Sequence, residues 1–141
     1  VKTVNINQTG HATFTASAGL DGAGGTYDID QTATGATMTF DVSGASAAVT
    51  ANQTAGATLT LTQPGASANI NVLQTAAATA TLDLDGASGV YDIDQTNAST
   101  ITLDQTGASA NFVISQAGGA GDIVTMTTNG ASANVDIIQR D

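Results

Sequence analysis

The sequence predicts an all-β protein, a β-solenoid of about six and a half stacked coils, each built as strand, turn, strand, turn. Three observations predict it. Ala, Thr and Gly dominate the 141 residues, with no Glu, five aromatics and a single Pro; Thr, Val and Ile favour strands, while Asp, Asn, Thr and Gly are poor helix formers. Apolar and polar residues alternate in short runs, the period of a strand with one buried face. Finally, Gln8, Gln31, Gln53, Gln74, Gln95, Gln116 and Gln139 follow one another at spacings of 23, 22, 21, 21, 21 and 23 residues. A unit of that length cannot bury its apolar face alone, and stacking units buries a continuous column. Residues 1–141 therefore read as one repeat domain.

The first strand type ends in these glutamines: VNINQ (4–8), YDIDQ (27–31), VTANQ (49–53), INVLQ (70–74), YDIDQ (91–95), FVISQ (112–116) and VDIIQ (135–139). The second is Thr-rich and lies at 12–18, 36–42, 57–63, 78–84, 99–105 and 122–128. Gly44, Gly65, Gly86, Gly107 and Gly130 each open a Gly-Ala-Ser turn after five of the six Thr-rich strands, and small residues form the opposite turn. Glycine is expected there to supply positive φ. The count is thirteen strands, seven of one type and six of the other, with coils about 4.8 Å apart.

Alternation assigns the faces. Inward columns are Val4, Tyr27, Val49, Ile70, Tyr91, Phe112 and Val135; then Ile6, Ile29, Ala51, Val72, Ile93, Ile114 and Ile137; then the glutamines. In the Thr-rich strands they are Phe14, Met38, Leu59, Ala80, Ile101 and Val124, and Ala16, Phe40, Leu61, Leu82, Leu103 and Met126, with Gln63 and Gln105 extending this face. An inward amide at a strand end is satisfied either by a ladder, donating to one coil and accepting from the next, or by the backbone of the adjacent turn. Both readings are structural.

Outward, Thr15, Thr39, Thr60, Thr81, Thr102 and Thr125 form one column beside Thr13, Thr37, Thr58, Thr79, Thr100 and Ile123. Such a Thr-x-Thr array looks like the ice-binding face of antifreeze solenoids; β-propensity with Thr–Thr contacts between coils, or a surface where protofilaments meet, is the plainer account. Asp28, Asp30, Asp92 and Asp94 form Asp-x-Asp pairs, and Asp83 and Asp104 are expected on adjacent coils. Oxygen-rich clusters can hold Ca²⁺, so these six are the weak metal candidates, with solvated charge as the plainer account.

Several functions are excluded by composition. The net charge is -10 and Lys2 and Arg140 are the only basic residues, so phosphate-backbone binding and docking on anionic membranes lack their cations. No run of apolar residues approaches a membrane span. His11 is the only histidine and Cys is absent, which leaves no triad or thiolate chemistry. No enzyme and no cofactor are expected. The chain begins at Val1 rather than Met and is expected to be a processed, exported bacterial product.

The stretch STITLDQTGASANFVISQ (99–116) resembles the curlin repeat of bacterial curli amyloid, roughly Ser-x5-Gln-x4-Asn-x5-Gln. Ser99, Gln105 and Gln116 match its Ser-Gln-Gln spacing; Asn111 falls one place late. Among the other units only Gln63 matches Gln105, where Ala18, Val42, Leu84 and Thr128 stand elsewhere. The resemblance is strongest over 57–74 and 99–116. It implies a secreted subunit that polymerises into an extracellular biofilm or cell-surface fibre, with itself as partner and a nucleator and outer-membrane exporter besides. Both terminal strands carry the interior pattern, so each is expected to template another copy. Fibre-end contacts would be Val4, Ile6, Gln8, Val135, Ile137 and Gln139. The seven-to-six strand count leaves one row short at each junction. Rival expectations are a monomeric ice-binding solenoid and a calcium-stabilised adhesin repeat.

Overall fold

The computed structural model describes residues 3–10, 13–16, 23–118 and 121–140, with the backbone alone for 14–16. Lys2, His11, Ala12, Ser17, Ala18 and the side chains of Phe14, Thr15 and Ala16 lie outside the described residues. Among the described residues thirteen strands run in order: β1 Thr3–Gln8, β2 Thr13–Ala16, β3 Thr26–Gln31, β4 Thr37–Asp41, β5 Ala48–Gln53, β6 Thr58–Gln63, β7 Asn69–Gln74, β8 Thr79–Leu84, β9 Gly89–Thr96, β10 Thr100–Gln105, β11 Ala110–Ala117, β12 Ile123–Thr128 and β13 Asn134–Arg140. No helix occurs among the described residues.

Odd-numbered strands form a seven-stranded sheet in the order β1-β3-β5-β7-β9-β11-β13, and even-numbered strands a six-stranded sheet. Every neighbouring pair is parallel, because each strand meets its own counterpart one repeat away. Val4 pairs with Tyr27 and Ile6 with Ile29, and the columns continue without slip to Phe112 with Val135 and Ile114 with Ile137. A shift of one residue would turn every apolar side chain to solvent, so the shared apolar period holds the coils in phase. The result is a β-solenoid of about six turns with its core between the sheets.

The core is apolar, with Tyr27 edge-on to Phe40 (centroids 6.4 Å apart) and Tyr91 stacked on Phe112 at 4.6 Å. Small residues fill the turn opposite the glycines: Ala36, Ala57, Ala78 and Ser99 are buried in one column. Each carbonyl there receives an amide of the next coil, as from Thr58 to Ala36 (2.8 Å) and Thr100 to Ala78 (2.9 Å). Ser99 adds a side-chain bond from its Oγ to the Ala76 carbonyl (2.6 Å).

The expectation that glycine supplies positive φ in the Gly-Ala-Ser turns is corrected. There the serine takes the left-handed conformation, at Ser46 (φ 62), Ser67 (φ 61) and Ser109 (φ 63). The glycine is demanded by its neighbour instead. A Cβ on Gly65, Gly86, Gly107 or Gly130 would overlap the carbonyl oxygen of the preceding glycine in the same column. Backbone packs on backbone from coil to coil, and only hydrogen fits between.

Candidate assembly interface

The glutamine column of the odd-numbered sheet is a ladder without a gap. Gln31 Nε2 donates to Gln8 Oε1 at 3.1 Å, Gln53 to Gln31 at 2.9 Å, Gln74 to Gln53 at 2.8 Å, Gln95 to Gln74 at 3.1 Å, Gln116 to Gln95 at 2.9 Å and Gln139 to Gln116 at 2.6 Å. All point the same way along the axis, so the column has one donor end and one acceptor end. Gln31 through Gln116 are buried. A buried amide without a partner costs about 1–3 kcal/mol, and here each interior amide has one on both sides.

The other two inward glutamines have no such neighbours. Gln63 and Gln105 both pair with Leu84 in register. Each turns its amide onto its own turn instead, donating to the carbonyl of Gly65 and Gly107 respectively. Their Oε1 atoms are buried and take no hydrogen bond. They press on the next coil: a Cβ on Gly86 would lie 2.8 Å from Gln63 Oε1, and one on Gly130 2.9 Å from Gln105 Oε1.

Exposure of the end strands is unequal. Val4 and Ile6 of β1, and Val124 and Met126 of β12, are partly buried against the core. Val135 and Ile137 of β13 are 40% and 48% exposed, although both stand in columns whose interior members are fully buried. Gln139 is exposed as well. An exposed strand edge leaves backbone N–H and C=O groups open to another strand.

The outward Thr columns are in register from Thr39 and Thr60 through Thr81 and Thr102 to Thr125. Thr37, Thr58, Thr79 and Thr100 run beside them. Asp41, Asp83 and Asp104 flank the array on the same face.

The weak metal candidates are dispersed. Asp28 stands between Asn5 and Thr50, and Asp30 between Asn7 and Asn52; Asn52 donates to Asp30 Oδ1 at 2.8 Å. Asp92 stands between Asn71 and Val113, and Asp94 between Leu73 and Ser115. None of the four has a carboxylate on an adjacent coil. Asp83 and Asp104 do adjoin. Burial first, then the charges of Asp85 and Asp104, hold the Asp83 carboxyl above its ordinary value. Among the described residues no group of three or more His, Cys, Asp or Glu is placed to hold a metal ion.

Two features escape a reading by alternation alone. Gly25 and Gly89 make room for tyrosine, since a Cβ on either would overlap the ring and hydroxyl of Tyr27 or Tyr91. The signal was present: units carrying Val49, Ile70, Phe112 or Val135 have Ala47, Ala68, Ala110 or Ala133 in that place. The second is the Tyr91 hydroxyl, buried without a hydrogen-bond partner; burial pushes its pKa up to about 12.

No family model, curated protein or solved structure matches the chain.

Proposed function

We propose that the chain is a structural subunit that assembles head-to-tail into an extracellular, curli-type amyloid fibre. The observation that carries this reading is the continuity of the columns. Val135 and Ile137 stand half-exposed at the end of columns that are otherwise core, in the register that a further strand would extend. A contact of that kind is heterologous and does not close, so it propagates as a filament. The curlin-like spacing of Ser99, Gln105 and Gln116 supports the same reading, and supports secretion to a biofilm matrix or cell surface with it. Val4, Ile6, Gln8, Val135, Ile137 and Gln139 are then the joint.

Ile137→Lys tests it. The side chain is 48% exposed in the single chain, so the variant keeps its β-sheet circular dichroism and its melting transition. Fibre growth from wild-type seeds is expected to fall at least tenfold, because a charge must enter the stacked column. Unchanged growth would remove the end strands from the joint.

A second reading, ice binding, draws on the unbroken register of the two Thr columns. An ice-recrystallisation assay on monomeric chain decides it; growth of ice crystals at the rate of buffer alone rejects it. The carboxylates of Asp41, Asp83 and Asp104 hold their own hydration beside the array and weigh against this reading.

A further inference from the structure

In a solenoid of alternating strands, each strand lies across the core from its chain neighbours in the other sheet. β13 follows β12, and among the described residues no strand lies across from it on the far side. Among the described residues β1 and β13 are the two edges of the seven-stranded sheet, and each lacks an in-sheet neighbour and a facing strand on its outer side; β12 lacks only an in-sheet neighbour. Val4, Ile6, Val124 and Met126 are partly buried against the core, whereas Val135 and Ile137 are exposed.

We propose that the half-coil place beside β12 and across from β13 is filled by β1 of a second copy. Successive copies in the fibre are then related by half a turn about its axis, and each advances the stack by half of thirteen coil strands. This rests on the head-to-tail reading above. The geometry is consistent in direction. Strands within a sheet are parallel, and the chain reverses at each turn, so the two sheets run in opposite directions. Half a turn about the axis exchanges the sheets and reverses the strands. β1 of the incoming copy therefore runs parallel to β12, as every in-sheet neighbour does.

The side chains match as well. Val4 and Ile6 of the incoming copy continue the columns of Val124 and Met126 and cover Val135 and Ile137. Outward, Thr3, Asn5 and Asn7 come beside Ile123, Thr125 and Thr127, with no carboxylate on either strand. In a chain of net charge -10, this junction stacks no acid on an acid.

The competing arrangement places β1 directly on β13 in the same sheet. It carries the Gln ladder across the joint, from Gln139 to Gln8. It also leaves a strand-wide gap beside β12 and keeps the inward faces of β12 and β13 wet. One amide pair is gained there against a whole strand of backbone ladder and its apolar side chains, so the half-turn arrangement is favoured.

The chain has no cysteine, which permits a direct test on full-length fibres. Neighbouring strands about 4.8 Å apart are within disulfide reach. The half-turn joint sets Asn5 beside Thr125; the same-sheet joint sets it beside Asp136. All three are exposed outward positions, and Asn5 lies at the opposite end of the stack from both others. Fibres of Asn5→Cys/Thr125→Cys, oxidised and run without reductant, are expected to give a ladder of covalent oligomers, and Asn5→Cys/Asp136→Cys fibres monomer only. Electron microscopy is expected to give an axial advance of about 31 Å per subunit. A ladder from the Asp136 pair with an advance of about 34 Å overturns the half-turn joint and leaves head-to-tail assembly standing. Absence of fibres from the wild-type chain overturns the reading beneath it.

Discussion

Gln74 and Gln63 sit eleven residues apart at the inward ends of β7 and β6, in opposite sheets. Gln74 has a glutamine on each neighbouring coil and is bonded to both. Gln63 has Leu84 beside it, bonds its own turn and leaves a buried carbonyl oxygen without a partner. The residue type and the burial are the same. What differs is the neighbour one repeat away. A repeat protein satisfies an inward amide by repetition, and an amide that is not repeated falls back on local backbone and remains half satisfied.

The comparison can be broken most severely by adding an amide where nothing can answer it. Leu82 lies between Leu61 and Leu103, so Leu82→Gln is expected to cost about 4 kcal/mol, combining an unpaired amide with lost apolar packing. Leu84→Gln places the same change between Gln63 and Gln105 and completes a three-amide ladder. Its cost is expected to be about 1 kcal/mol or less. Urea unfolding in the Ile137→Lys background, where assembly is expected to be slowed, measures both. Equal costs would mean that neighbouring amides contribute nothing.

Removing an amide should be asymmetric too. Gln74→Leu strips partners from Gln53 and Gln95 and is expected to destabilise by about 2–3 kcal/mol. Gln63→Leu removes an orphan oxygen, and is expected to leave stability unchanged or raise it by up to about 1 kcal/mol. A loss at Gln63 matching that at Gln74 would show that its single turn bond carries the full value of the ladder.

Tyr91→Phe carries the argument to another orphan. Its hydroxyl is buried and unpartnered, so the variant is expected to be as stable as wild type or about 1 kcal/mol more stable. The sign with pH follows from burial. The folded chain keeps the phenol proton to about pH 12, above the ordinary value of 10.0. Stability from this group is therefore whole below pH 10 and falls as pH rises toward 12. Alkaline unfolding monitored by circular dichroism should shift to higher pH in Tyr91→Phe; an unshifted transition would mean that water reaches this phenol in the folded state.

The smallest effect is expected outside the core. Asp83 has its carboxyl raised by burial and by Asp85 and Asp104, so its ionised form opposes the fold. The stability it lends is whole below the ordinary value of 3.8 and is lost as pH rises through the raised one. Assembly should run faster near about pH 4 than near about pH 7, and Asp83→Asn should narrow that ratio. A ratio unaltered by the substitution would assign the pH effect to other carboxylates.

Strands, faces and columns were legible because two periods are written in the same residues. Alternation sets the face, and the spacing of 21 to 23 residues sets the partner. No long-range pairing had to be guessed, since each strand meets its own copy. The glycine column was not legible in its true role. A glycine required for positive φ and one required by a facing carbonyl look alike in sequence, and only the placement of φ 62 on Ser46 separates them. The Gln63 orphan was half legible. Leu84 stands in phase with it, but the choice between ladder and turn depends on geometry at the strand end. The exposure of Val135 and Ile137 beside the partial burial of Val4 and Ile6 was not legible, since both strands carry the same inward pattern.

Continuation of one chain's columns by another is tested most directly by electron microscopy and fibre diffraction of the 141-residue chain diluted from denaturant with no added partner. Unbranched thin filaments with an axial reflection near about 4.8 Å are the predicted result. A persistent monodisperse monomer under the same dilution would contradict it.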